Sequence, residues 1–503
     1  MKIFKTGAKQ WENRHEVFVQ DIFDLYELGN DPLLDPLSGY NDTTKGLQAL
    51  ITQASQSNIP LRGLGAGWSW TKIATADNCL MIDTKCLNTL FSITQPSVDA
   101  QYSGDVHKLF FAQCGNGIWE LSKFLRTKNL SLKTSGASNG QTIAGAIGTG
   151  AHGSAFDFGA VQDFVVGLHI ITGANKHVYL ERASYPVVSD AFIQKIQTEI
   201  IRDDDLFNAA LISFGSFGII HGVMVETEDL FLLETYVQRM PYDDSLKHIM
   251  ETLDFTTANL PCGNERPFHF AVQINPYDLD NGAYVTTMYK RPFQNNYQPP
   301  VNNPEGIGPG DDAASFVGKL TEALPAIVPT LVNKLLAGAL TPHTKQYGTL
   351  AEIFDNTTLH GKLLSAAIGV PLAYVNKVTE LLLAFNKTNG PFTGLFAYRF
   401  VKKSKAKLAF TRFDTTCVFE LDGAFSDATY EFYKQVWQLL DNEQIPFTFH
   451  WGKVNEIDFN RIQKMYGADA DTWITARNTL LDANSKKVFT NPIMQQWGLD
   501  KII

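Results

Sequence analysis

The run from Ser135 to Ser154 reads Ser-Gly-Ala-Ser-Asn-Gly-Gln-Thr-Ile-Ala-Gly-Ala-Ile-Gly-Thr-Gly-Ala-His-Gly-Ser, and no other stretch restricts the fold of this chain so strongly. Side chains this small admit a flat ring and a diphosphate, while the hydroxyls and amides supply neutral donors to the charge. A lone histidine in a loop is ordinarily structural, yet His152 within this string is hard to explain without a cofactor. A second segment, Leu61-Arg62-Gly63-Leu64-Gly65-Ala66-Gly67-Trp68-Ser69-Trp70, carries three glycines at alternate positions. Such spacing lets the backbone turn sharply and aim its amides at a ligand, which makes an anion cradle. It lacks the spacing and the later acidic ribose partner of a Rossmann fingerprint, and no Gly-Lys-Ser/Thr follows to make a P-loop.

With 503 residues the chain suits two or three domains. Its net charge of −10 argues against a nucleic-acid surface, since neutralising phosphates needs clustered Lys and Arg. The basic run at Lys402-Lys403-Ser404-Lys405 reads as a solvated strand end. Five cysteines without CxxC spacing exclude a disulfide framework and a zinc site, so no metal is expected. The first residues, Met1-Lys2-Ile3-Phe4-Lys5, lack the apolar core of a signal peptide, and a cytoplasmic location is the expectation.

Short β-branched runs alternate with helical patterns over residues 60–230, among them Leu80–Asp83, Phe164–Leu168 and Val223–Glu226. Amphipathic helices are predicted at Thr43–Ser57 and Ile118–Lys128 from their apolar spacing. Beyond residue 230 the pattern turns to alternation, as in Phe268–Asn275 and Phe396–Val401, which suggests an antiparallel sheet with one buried face. Gln294–Asp312 reads as a long loop, and two apolar regions, about 313–340 and 361–385, read as helical. Pro325, Pro329, Asn333 and Lys334 interrupt the first, so a membrane span is rejected and the helices serve as core, as a lid or in transient membrane contact. The fold class is α+β. Three parts are expected: a cofactor domain over 1–230, a substrate or cap domain over 231–440 with the apolar insertion at 313–385, and a C-terminal segment, 441–503, returning to the cofactor.

Arg-Gly-X-Gly-X-Gly-X-Ser at Arg62–Ser69, and Gln-Thr-Ile-Ala-Gly-Ala-Ile-X-Thr-Gly-X-His-Gly-Ser at Gln141–Ser154, resemble the vanillyl-alcohol-oxidase-type (PCMH-type) FAD-binding domain. The sugar-lactone oxidase and alditol oxidase branch is the nearest pattern, with further likeness at Trp11-Glu12-Asn13, Phe214–Ile220 and His450-Trp451-Gly452-Lys453. The resemblance implies that Arg62, Gly63, Leu64, Gly65, Ala66, Gly67, Trp68, Ser69 and Trp70 wrap the FAD pyrophosphate. Gly136, Ala137 and Ser138, then Gln141, Thr142, Gly145, Gly148, Thr149, His152, Gly153 and Ser154, would line the other side of the diphosphate and the ring. Gly218 and Ile219 would meet the adenine end. Lys453 would approach the N1–C2 carbonyl edge of the flavin, where hydride arrival at N5 builds negative charge. His450 is the candidate general base for the alcohol proton.

In covalently flavinylated members a histidine follows the third glycine of the first loop; this chain has Trp68 there. Indole offers no suitable nucleophile, so noncovalent FAD is expected. On the substrate side, Arg399 falls where the alditol-oxidase pattern carries Glu-X-Arg, but the glutamate position is Ala397. Glu420 is a candidate replacement for that carboxylate, and Gln273 and Asn275 lie on a polar stripe that either meets substrate hydroxyls or faces solvent. The expected reaction is oxidation of a CH–OH group of a sugar, sugar lactone or polyol, with O2 or an electron carrier as acceptor. A sterol-like or other apolar alcohol, and a flavin-binding protein without turnover, are the alternatives.

Overall fold

The computed structural model describes residues 1–136, 139–153, 155–256, 258–300, 321–355 and 362–501. Three sheets organise them. In the first, Lys2–Lys5, Asp24–Gly29, Leu80–Cys86 and Leu61–Leu64 lie side by side in that order. The last three run parallel, which delivers the Arg62–Trp70 loop from the end of a strand. The helix before that strand spans Pro36–Gln56, starting on Asp35, whose carboxylate accepts from the Leu37 and Ser38 amides, with Pro36 fixing the first turn. Tyr40, Leu47, Leu50, Ile51 and Ala54 recur at three- and four-residue spacing and form its buried face.

The second sheet has six strands with Val165–Gly173 and Ile219–Glu226 at its centre, the former buried along its whole length. The third has eight antiparallel strands and begins with Phe231–Met240. Four of its strands matter here: His269–Ile274, Gly394–Lys402, Thr415–Ala424 and Leu363–Pro371, side by side in that order. Their register sets Gln273, Ala397, Glu420 and Ala367 in one cross-strand row, and Leu395, Asp422 and Ser365 in the next row on the same face. Helix Asp427–Asn442 packs on Thr415–Ala424, and helix Val375–Asn389 packs on that helix. Short C-terminal helices then return to the first part of the chain, where Trp473 donates to the Ile212 carbonyl (2.8 Å) and Arg477 to that of Ser216 (3.1 Å).

The apolar insertion differs from the sequence expectation. Residues 313–320 lie outside the described residues, as do 301–312 of the long loop; 294–300 carry no helix or strand. Val328–Ala339 is helical, but His343–Gly348 is an edge strand and Leu363–Pro371 is an interior one, with the helix starting only at Val375. Leu363–Val370 is buried throughout, so its sequence has no alternation and cannot be told from a buried helix by period. Among the described residues no helix is long and apolar enough to cross a membrane.

Candidate functional site

Two cavities meet end to end where the three sheets converge. One lies between the Leu61–Ser69 segment, the Gln141–Thr149 segment and Ser213–Ile220. The other lies between Trp68–Trp70, Ala151–His152, the sheet residues Ser365, Arg399, Glu420 and Asp422, and His450–Lys453. Trp68, Ser69, Gln141 and Thr149 line both, so the cavities are two ends of one elongated site.

Backbone builds the outer end. A Cβ at Gly65 would sit 2.2 Å from Thr142 Oγ1, so only glycine lets the two loops close on each other. Gly218, at φ +113, would meet the Ile171 carbonyl at 2.4 Å. A Cβ at Gly63 would meet nothing. Leu64, Ala66, Gly67, Gly145, Gly148 and Ile219 also line this end, as the resemblance implies. Arg62 lines it too, but its terminal nitrogens are engaged elsewhere. They donate to the carbonyls of Ile73 (2.6 Å), Phe214 (2.6 Å), Phe489 (3.1 Å) and Gly215 (3.3 Å). Arg62 therefore ties three segments together, and its expected grip on a pyrophosphate is corrected to that of a clamp beneath the loop. Burial, then nearby Arg477, bring its pKa down to about 10. Ser213 Oγ and Trp68 Nε1, on residues that line this cavity, are buried with no hydrogen-bond partner, polar atoms that suit a polar ligand there.

Trp70 joins the loop to the far side: its amide donates to the Gly452 carbonyl (2.7 Å) and its indole N–H to that of Leu363 (2.9 Å). Thr71 Oγ1 donates to the Trp451 carbonyl (3.1 Å). Trp68 is 9% exposed, has the Arg14 guanidinium 4.7 Å from its ring centroid, and presents no atom able to replace a linking histidine.

Side chains build the inner end. Glu420 lies between two cations, with Lys453 Nζ 2.5 Å from Oε1 and Arg399 2.9 Å from Oε2. Burial opposes its ionisation, but the guanidinium and the ammonium win and hold its carboxyl well below the usual range. Asp422, two residues on and bonded by Ser365 Oγ, moves the other way: burial, reinforced by the Glu420 charge, outweighs Lys453 and raises it.

The two histidines present different nitrogens. The Gly452 amide donates to His450 Nδ1 (3.0 Å), so the neutral ring carries its proton on Nε2. His152 Nδ1 lies 3.1 Å from the Gly153 carbonyl, which can only accept, so the neutral ring carries its proton on Nδ1, and Nε2 lies 3.6 Å from Glu420 Oε1. Burial, then His152 and Lys453, push His450 well below the ordinary histidine value. Burial lowers His152 as well, with Glu420 working against it. His450 thus meets the cavity as a donor, against its expected role as base.

Gly136 lines the inner end; Ala137, Ser138 and Ser154 lie outside the described residues. Gly153 packs on the Thr134 side chain. Neither Gln273 nor Asn275 lines the cavity. Asn275 donates to Asn333 Oδ1 (2.7 Å) and accepts from the Tyr277 amide (3.0 Å), which leaves it poorly placed to read a substrate. The stripe does not face solvent either, since His269, Ala271 and Asn275 are buried. Asp422 and Ser365 were missed, although the alternation Glu420-Leu421-Asp422 placed both acids on one face.

The family model described as an FAD-binding domain matches residues 40–180. The chain is 25% identical over 300 residues to an L-gulono-1,4-lactone dehydrogenase of Mycobacterium tuberculosis, a match covering 60% of this chain and 59% of that relative. It is 23% identical over 511 residues to L-gulonolactone oxidase 3 of Arabidopsis thaliana, covering 90% of this chain and 79% of that one. The fold is similar to that of cholesterol oxidase from B. sterolicum, with a TM-score of 0.72, 14% identity, and 99% and 97% of the two chains covered. A chitooligosaccharide oxidase gives a TM-score of 0.64 at 11% identity, covering 98% and 96%.

Proposed function

We propose that this chain, a member of the vanillyl-alcohol-oxidase-type FAD-linked family whose relatives are sugar-1,4-lactone oxidases and dehydrogenases, oxidises a CH–OH group of a sugar, sugar lactone or polyol. The observation that carries this reading is Glu420 held between Lys453 and Arg399, with Asp422 and Ser365 in the next row. FAD, when bound, supplies a hydride acceptor at N5. The elongated cavity suits it, with glycine backbone and unpartnered polar atoms at one end and Lys453 at the other.

His152, rather than His450, takes the hydroxyl proton. His152 lines the cavity with its Nε2 3.6 Å from Glu420, whose negative charge stabilises the imidazolium that results; such a base contributes about 10²- to 10⁴-fold. His450 Nε2–H donates to the reacting oxygen or to the ring. Lys453 holds positive charge where negative charge develops. Arg399 and the carboxyl of Asp422 contact further hydroxyls of the donor. That many charged and polar groups favour a hydroxyl-rich donor over an apolar alcohol, because burying them against hydrocarbon leaves them unpaired. The flavin is held without a covalent bond, Trp68 standing in the usual linking position. Anaerobic mixing with a panel of alcohols tests the reading: the bound flavin bleaches with sugar lactones or polyols. Bleaching with apolar alcohols alone, or with no donor, contradicts it.

A further inference from the structure

A third cavity opens to the surface beside the site, with Phe18, Trp70, Tyr430, Ile493, Trp497 and Lys72 among its lining residues. Trp70 also lines the inner end of the flavin cavity, so one indole separates the two spaces. Behind it the rings continue. The His15 ring stacks on Trp70 at 3.8 Å and 8°, and meets Trp68 edge-on at 5.8 Å. Trp68 itself lines both ends of the flavin cavity. His15 is fully buried. Burial, then the Arg14 and Lys453 charges, push its pKa down to about 3, so the ring is neutral at the centre of this ladder.

We propose that this surface cavity binds a quinone, which takes the electrons from the flavin across Trp70. The inference rests on the reading of the chain as an FAD-dependent alcohol oxidoreductase. Phe18, Trp70, Tyr430 and Trp497 suit a flat ring, since aromatic pairs stack offset or edge to face, and Gln20, Thr75, Asp77, Asn455 and Gln496 set polar groups among them. The Lys72 ammonium, 5.7 Å from the Phe18 ring centroid, supplies a donor for a quinone carbonyl. The balance closes: the CH–OH carbon loses a hydride and its oxygen a proton to give C=O. The two electrons and two protons so released convert the quinone to the quinol, with the C–H and O–H bonds of the donor broken and two O–H bonds of the quinol formed.

The experiment separates this proposal from its parent. FAD-loaded protein is reduced anaerobically with dithionite to its end point, without any alcohol donor, and mixed with duroquinone or with O2. Duroquinone is expected to restore the yellow flavin in the wild type. Ile493→Trp, which fills the cavity, slows that step at least tenfold, and Lys72→Met raises the half-saturating quinone concentration severalfold, while O2 reoxidation is unchanged in both. Equilibrium dialysis of duroquinone against the oxidised protein loses binding in Ile493→Trp. Reoxidation by duroquinone at the wild-type rate in both variants, no reoxidation by it in the wild type, or equal slowing with O2 overturns the proposal. Failure of every alcohol to bleach the flavin counts against the parent reading alone.

Discussion

The two ends of the elongated site are made of different materials. At the outer end, Leu61–Ser69 and Gln141–Thr149 present backbone and small side chains, and the guanidinium of Arg62 is turned away to bind carbonyls. At the inner end the sheet face presents Arg399, Glu420 and Asp422 beside Lys453. A cofactor common to many proteins can be held by close approach of backbone, which constrains side chains to be small. A substrate must be chosen among analogues, and choice needs buried side-chain groups that go unpaired with the wrong molecule.

The sharpest break in this contrast comes from the two histidines. His152→Gln is expected to slow flavin reduction by about 10²- to 10⁴-fold, whereas His450→Gln costs less because it removes a donor. Stopped-flow absorbance measures both, and the reverse order sinks the tautomer assignment. Because the folded His152 pKa lies below 6.5, the acid limb of the reduction rate should fall below pH 6.5 and vanish in the variant. Lys453→Met should slow reduction by about 10²- to 10³-fold, the usual loss for one oxyanion-type donor; a normal rate removes Lys453 from the chemistry.

Glu420→Gln probes stability as well as rate. It leaves two largely buried cations without their carboxylate, a change of about 3–5 kcal/mol when such a pair is broken. The folded Glu420 pKa is depressed, so its stabilisation is full above its ordinary value of 4.5 and is lost as pH falls through the folded value. Thermal melts across acid pH should therefore show an acid loss in the wild type that the variant lacks; parallel curves contradict the ion-pair account. The smallest effect concerns Trp68: acid precipitation should release the yellow colour into the supernatant, and colour kept in the pellet contradicts noncovalent binding.

The same contrast explains what could be read in the sequence. The outer end lies in two short continuous segments, so its small residues announce themselves, and the strands around it followed from β-branched runs. The inner end is gathered from residues 363 to 453, and only strand register places Glu420 opposite Ala397 or Asp422 opposite Ser365. Once Leu363–Pro371 is read as helix, that row cannot be assembled. The Arg62 motif was visible, but its carbonyl partners are 11 to 427 residues away in sequence. The proton positions on His152 and His450 depend on single backbone contacts that no spacing reveals.

The most direct measurement of the central claim is the ratio of kcat/KM for anaerobic flavin reduction between a polyol or sugar lactone and an alkanol of equal chain length. A site built from Arg399, Glu420 and Asp422 predicts a preference for the hydroxylated donor approaching about 10⁴-fold, falling sharply in Asp422→Ala. Equal rates, or a preference for the alkanol, would contradict it.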